Sequence, residues 1–311
     1  MKDLVQIKKY YTSVLVPELS VLETQRIEVR NKAVMGMAIL IPLSILISVL
    51  IGHPLFFILG IAGSIGLLHI LSRQYVNNFK IGIIDKIIKS IDENLTYARL
   101  SYIPKNIFTA SQLFRHRIDR YRGDDYVNGM LGKTRVEFSE IHAEYKTHDN
   151  KGRTRYHTIF RGLFFVADFN KNFKGTTIVL PDLAEKMLGR LGAMFQSWNK
   201  VRGQLVKLED PEFEKIFVVY GDDQIEARYI LSTSLMRRIV EFKKRKKREI
   251  HLAFIGSKIF VAISYNRNLF EPRIFKSLLD FAPIQQYYED LRTATDIVDE
   301  LNLDTRIWSK V

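Results

Sequence analysis

Cysteine is absent from the chain, which removes disulfide scaffolds, thiolate nucleophiles and cysteine-based zinc or iron–sulfur sites in one step. That absence suits a reducing compartment. Tryptophan occurs only at Trp198 and Trp308, and both read as packing residues rather than ligand stackers. Acidic residues are in deficit, 34 against 47 Lys and Arg. Catalytic signatures are missing as well. Gly132-Lys133-Thr134 has the ending of a phosphate-binding loop, but Val127 stands where the first glycine is required and a strand-like segment follows. No G-x-S-x-G, kinase-type set, H-x-x-x-H or H-E-x-x-H occurs.

Charge is missing locally too, and there the absence is informative. From Ala33 to Ile51 and from Leu55 to Leu71 there is no Asp, Glu, Lys or Arg, and only Gly52-His53-Pro54 separates the runs. At ~1.5 Å per residue they span about 28 and 25 Å as helices, close to the ~30 Å hydrocarbon core of a bilayer. Apolar residues surround both segments, leaving no polar face for water, so a membrane helical hairpin accounts for them better than a soluble core. Gly60, Gly63, Ser64 and Gly66 recur at helical spacing, as small residues do where membrane helices touch. Basic residues flank both ends, with Arg26, Arg30 and Lys32 before and Arg73, Lys80 and Lys86 after, whereas the connecting tripeptide has none. Both termini are therefore expected in the cytoplasm. A charged segment of 32 residues precedes the first run, which does not fit a cleaved signal peptide.

The excess positive charge is concentrated in two places. Arg73 to Arg122 holds ten basic and four acidic residues, and Lys243, Lys244, Arg245, Lys246, Lys247 and Arg248 form an unbroken basic run. Cations suit a helix C-terminus, and the run closes a helix expected from Ser232 with Leu235, Met236, Ile239, Val240 and Phe242 on one side. It is also the candidate lipid-contact site, each basic residue at an anionic surface contributing about 1 kcal/mol. Such local concentration weighs against a nucleic-acid footprint across the protein.

Four segments follow from the patterning. Residues 1–32 form a cytoplasmic amphipathic helical segment, in which Leu4, Ile7, Tyr11, Val14 and Leu15 share a face that Pro17 interrupts. Residues 33–72 form the transmembrane hairpin. Residues 73–122 form a juxtamembrane helical basic segment, with Phe79, Ile83, Ile84, Ile87, Ile88, Ile91 and Leu95 at helical spacing up to Pro104. The two amphipathic segments are able to pack as a stalk, which allows homo-oligomers.

Residues 123–311 then read as a cytoplasmic α+β domain, a mainly antiparallel sheet with flanking helices. Strands are expected at Thr134 to Thr147 and Tyr156 to Phe169 around the turn Asp149-Asn150-Lys151-Gly152, and at Thr176 to Leu180, Gly203 to Leu208 and Phe217 to Tyr220. His251 to Ile255 and Lys258 to Ile263 suit a hairpin with a type II′ turn at Gly256-Ser257. Helices are expected through Leu183, Met187, Leu188 and Leu191 and from Pro283 to Leu303.

Alternation along the first long strand puts Glu140, His142 and Glu144 on one side. Two carboxylates and an imidazole can bind a metal or exchange protons, with His157 opposite and Asp168 farther along. The simpler reading is a solvated strand face salt-bridged to Arg153, Arg155 or Arg161, and no catalytic or metal residue is assigned.

Several separated blocks carry a resemblance. Asp119-Arg120-Tyr121-Arg122-Gly123-Asp124-Asp125-Tyr126-Val127, Phe138-Ser139-Glu140, Phe160 through Lys171, Val219-Tyr220, Glu226 through Leu231 and Leu301-Asn302-Leu303, in this order, resemble the bacterial domain-of-unknown-function family 3137. The resemblance implies a membrane hairpin before a cytoplasmic domain and residence in the bacterial inner membrane. It implies no activity, cofactor or catalytic residue. The expectation is a two-pass, membrane-anchored, non-enzymatic module that binds inner-membrane lipid or a protein partner and needs no cofactor. The alternatives are a metal- or acid–base-dependent enzyme using Glu140, His142 and Asp168, and a nucleic-acid binder acting through Lys243 to Arg248.

Overall fold

Uninterrupted apolar and amphipathic helical periodicity over the first ninety residues, then alternation, produces mixed architecture: long helices followed by an antiparallel sheet with helices beside it. The computed structural model describes residues 4–149, 151–169, 173–182, 203–301 and 303. The expected helix through Leu183 to Leu191, both tryptophans, Asn150, Asn170, Lys171 and Asn302 lie outside them. Two compact units result, Met1–Ser90 with Phe270–Asp290, and Ile91–Leu269 with Leu291–Val311.

The first unit holds α1 (Leu4–Tyr10), a π-helical turn (Tyr11–Leu15), α2 (Val16–Ile51), α3 (Leu55–Phe79), a second π-helical turn (Lys80–Ile84) and α4 (Asp85–Ile91), which begins there. Pro17 does not stop the helix. It occupies the first turn of α2, where its missing N–H costs least, and the wider π turn just before it takes up the misfit. Gly52, at φ +73°, ends α2 in the left-handed conformation and opens the tight turn, in which His53 Nδ1 accepts from Leu55 N at 3.2 Å.

Across the helical pair, Gly60 lies so close to Ser44 that a Cβ there would collide with its side chain, and Gly36 meets Leu67 in the same way. Gly63 and Gly66 have open space instead, so helix contact uses only part of the small-residue pattern. Both helical runs contain stretches long and apolar enough to cross a membrane, and within these only 6% and 11% of the residues are buried in the protein. A soluble core pair would be mostly covered.

Beyond the apolar stretches the two runs do pack as a stalk. Tyr10 Oη donates to the Lys86 carbonyl at 3.1 Å, Asn78 Nδ2 to Gln25 Oε1 at 3.0 Å, and Lys86 pairs with Glu18. A strap from the distant 270–281 segment locks onto them. Glu23 bridges to Arg26 at 2.8 Å and accepts from Leu278 N at 2.8 Å, Arg26 donates to the Ile274 carbonyl at 2.6 Å, and the buried Lys80 pairs with Glu271 at 2.8 Å.

The second unit is built on a sheet that, among the described residues, has nine strands in the order β1-β2-β3-β4-β9-β8-β5-β7-β6, every neighbouring pair antiparallel. They are β1 (Leu95–Ala98), β2 (Arg120–Leu131), β3 (Thr134–His148), β4 (Thr154–Asp168), β5 (Thr176–Pro181), β6 (Gln204–Val206), β7 (Phe217–Gly221), β8 (Ile250–Ile255) and β9 (Lys258–Ser264). Gly256 has φ +61°, as the first central residue of the expected type II′ turn requires. Helices α5 (Lys105–Ala110), α6 (Pro211–Glu214), α7 (Gln224–Ile230) and α8 (Thr233–Lys246) belong to this unit, and α9 (Phe281–Glu300) enters it from Leu291 onward.

Residues 92–122 do not continue the helix. Asp92 captures the backbone N–H of Asn94 at 2.9 Å, which ends α4, and Leu95–Ala98 then pairs with β2. Strand β2 itself begins at Arg120, ahead of the expected start of the alternating region.

One face of the sheet carries Ile141, Ala143, Phe160, Phe164, Phe260 and Ala262 into a core closed by Ile103, Phe108, Leu113 and Ile118. Phe108 is its hub. Its ring lies 4.8 Å from Phe164, 5.4 Å from Phe114, 5.5 Å from Tyr121 and 5.9 Å from Phe160. Removing a fully buried phenylalanine leaves a cavity and costs about 3–5 kcal/mol. Phe108→Ala should therefore lower the unfolding free energy of the sheet unit by that amount, read by urea titration of the detergent-solubilised chain. A loss under about 1 kcal/mol would contradict its place in the core.

Candidate functional site

Alternation on β3 turns Phe138, Glu140, His142 and Glu144 to the face opposite Ile141 and Ala143. Register with the strands on either side arranges their neighbours in rows. Arg122, His142 and Arg161 lie abreast on β2, β3 and β4, and Asp124, Glu140 and Leu163 form the adjacent row. A cleft of about 450 Å³ opens over these two rows, with Gly123 in its floor and Asn268 at its rim.

Two local features of the strands shape it. A bulge between Asp124 and Val127 puts Asp125 at φ +58° and turns its carboxylate inside, where Tyr97 Oη donates to it and its own N–H reaches the Arg99 carbonyl at 2.9 Å. Burial first, then the Asp125 carboxylate beside it, pushes the Tyr97 hydroxyl far above the ordinary phenol range. Gly162 is the second, at φ +149°, and any Cβ there would strike the Ile263 carbonyl oxygen. Glycine is what lets β9 close against β4 at the level of the cleft.

Each polar group on the rows has a partner. Glu140, buried, accepts from Leu269 N at 2.9 Å. Arg122 Nη2 donates to Glu144 Oε2 at 3.0 Å, and Arg161 Nη2 to Asn268 Oδ1 at 2.5 Å. His142 Nε2 lies 3.3 Å from Thr158 Oγ1 and 3.7 Å from Glu144 Oε1. Its pKa is lowered from the ordinary value. Desolvation is the main cause, Glu144 opposes it, and Arg122 and Arg161 reinforce it.

Of the residues singled out from sequence, Glu140 and His142 line the cleft, whereas Glu144 adjoins it through Arg122 and His142. Asp168 does not line it. It sits at the far end of β4 in register with Lys258. His157 is on the other face, because the ladder slips at Ile159 and sets it against Tyr145, with rings 5.0 Å apart and its Nε2 on Thr147 Oγ1 at 2.8 Å. Arg122 and Asp124 were not singled out as site residues, since Arg122 closed the segment read as helical and no strand was expected before Thr134.

The carboxylate oxygens of Asp124, Asp125 and Glu140 come within 4.8 Å of one another, and hard oxygen donors in that number could hold a divalent cation. Asp125 and Glu140 are each already engaged, by Tyr97 and by Leu269 N. The set is therefore accounted for as structure.

The basic run ends α8. Lys243 Nζ caps the Arg248 carbonyl, Lys244 pairs with Glu212, and Arg245 pairs with Glu300. Lys246 bonds Asp296 at 2.9 Å and Thr293 at 2.8 Å. Lys247 takes the left-handed cap position, and the Arg248 guanidinium lies 4.9 Å from the Tyr265 ring centre.

Residues 158–303 match the model of the protein family described as "Protein of unknown function (DUF3137)", which agrees with the resemblance read from the sequence blocks. A search of curated proteins finds no match. Among solved structures, the mycobacterial trehalose monomycolate transport factor A, TtfA, is similar at 12% identity, over 68% of this chain and 93% of that one, with a TM-score of 0.32. An overlap of that size carries no argument from one protein to the other.

The fold favours the neutral His142 ring, so as pH falls the unfolded chain takes up the proton first. The stability contributed here is complete above the ordinary histidine pKa and declines as pH drops through the lowered one. Unfolding free energy measured from about pH 7.5 down to 5 should fall less steeply in His142→Gln than in the wild type. Identical slopes would contradict the assignment.

Proposed function

We propose that this chain is a two-pass, membrane-anchored module without catalytic activity of its own, whose sheet unit faces the cytoplasm and captures a ligand or partner there. The observation that carries the reading is the bare apolar surface of α2 and α3. Val49, Leu50 and Ile51 near the end of α2, and Ile58, Leu59 and Ile65 on α3, all stand exposed. An apolar area of that extent costs about 25 cal/mol for every Å² left in water, and acyl chains remove the cost.

Basic flanks on both sides of the hairpin and a tripeptide free of Lys and Arg support cytoplasmic termini. A tether confines the sheet unit to the membrane surface and raises its effective concentration toward other membrane components. The cleft supports binding over turnover, since the carboxylates at it already have partners, Glu144 in Arg122 and Glu140 in the Leu269 N–H. Lipid contact by Lys244, Arg245 and Lys246 would first have to open their pairs with Glu212, Glu300 and Asp296, so this part of the run serves its own helix end before any membrane.

The lack of native cysteine makes sidedness directly measurable. His53→Cys should react with an impermeant maleimide added outside intact bacterial cells, and Lys151→Cys only after the cells are opened. The full chain should stay with the membranes through an alkaline carbonate wash. Recovery in the supernatant would refute anchorage, and the reverse labelling pattern would refute orientation.

A further inference from the structure

Three donors converge on the cleft from three adjacent strands. Arg122 and Arg161 stand on the outer strands of the row with His142 between them, and Asn268 is held beside Arg161. Strands lie ~4.8 Å apart, so the two guanidinium stems rise about 10 Å from each other, a gap their side chains can close over one small group. Each guanidinium carries five N–H donors. Glu144 takes one from Arg122 and Asn268 takes one from Arg161, bonds that splint the forks without consuming them.

The geometry points to this cleft as a binding site for a phosphate-bearing ligand, its oxygens received by Arg122 and Arg161 from either side with His142 beneath. A carboxylate has two oxygens for these three donors, whereas a phosphate group offers three and matches the planar forks. The neighbouring acidic row gives the site polarity. Asp124 and Glu140 lie one alternation along the strands, about 7 Å away, where they repel further negative charge. A single phosphate whose attached group is neutral or cationic toward that end fits, and a polyphosphate does not. The inference deepens the reading of the sheet unit as a binding module and is independent of its anchorage.

Bound phosphate also has a signature at the imidazole. The charged and titratable groups facing His142 are Arg122 and Asp124 from β2, Glu140 and Glu144 from its own strand, and Arg161 from β4. An anion seated between the guanidiniums offsets the two cations that disfavour the protonated ring, so binding should raise the His142 titration midpoint.

The full chain in a maltoside detergent free of phosphate supplies the test, by calorimetric titration with inorganic phosphate and with dihexanoyl phosphatidic acid. Saturable binding is expected, weakened about tenfold or more by Arg122→Gln or Arg161→Gln, with circular dichroism unchanged and the His142 midpoint raised in NMR titration of the wild type. Lipid binding at least tenfold tighter than inorganic phosphate would identify a headgroup site, and equal binding a free phosphate or phosphomonoester site, each in support. Absence of saturable binding by the wild type, wild-type affinity in both arginine variants, or tighter binding of pyrophosphate than of phosphate would overturn the proposal. None of these readouts depends on whether the helices span a membrane.

Discussion

Register between β2, β3 and β4 is the constraint from which the rest of the sheet unit follows. Side chains on a strand alternate with period two, so slipping β3 by one residue would carry Glu140, His142 and Glu144 into the core and turn Ile141 and Ala143 outward. Burying each unpaired charge costs several kcal/mol, and each large apolar side chain exposed forfeits about 1.5–3. Those magnitudes leave one register. Once it is set, the sign of each row follows: Arg122, His142 and Arg161 in one, Asp124 and Glu140 in the next. Beyond Asp124 the β2 bulge shifts the side-chain alternation of that strand by one residue, so that Val127 pairs with Phe138, and Gly162 lets β9 close against β4.

A different balance governs the helical unit. Few residues of its apolar stretches are buried within the protein, so hydrophobic burial within the chain contributes little to their pairing. Close approach at Gly60 and Gly36 contributes packing instead. Outside those stretches the helices gain a polar clasp, in which Glu23, Arg26 and Lys80 engage the strap around Ile274, Leu278 and Glu271. Ion pairs of this kind add modest net stability, but breaking one partner of a buried pair costs about 3–5 kcal/mol. They therefore specify one arrangement more than they strengthen it. The π-helical turns before Pro17 and at Lys80–Ile84 fall in the same polar stretch, where the helices depart from regular winding without losing their continuity.

Legibility followed the range of the interactions. Strands β3, β4, β8 and β9 announced themselves because alternation and turn residues are local signals, and their bounds fell within a residue or two of the patterning. Strand β1 carried no such signal. Leu95 continued the helical spacing of Ile87, Ile88 and Ile91, and only pairing with Gly129 and its neighbours makes it extended. The same holds at the cleft. Glu140 and His142 were visible together because one strand carries both, whereas Arg122, Arg161 and Asn268 reach them across two ladders and a loop. Asp168 shows the converse error, since a residue on the right strand is still far from the site when the strand is long.

By itself the sequence determined what depends on composition and short-range period: two helices able to cross a membrane, their basic flanks, an antiparallel α+β region, and a chain without thiol chemistry. Tertiary structure alone decided which charges became neighbours. It put Arg122 on Glu144, paired Lys244, Lys246 and Arg245 of the α8 basic run with Glu212, Asp296 and Glu300, and brought the 270–281 strap onto Glu23 and Lys80. The physical reason is that electrostatic and hydrogen-bond partners are chosen by distance in space, which strand order and helix packing set and no local spacing encodes.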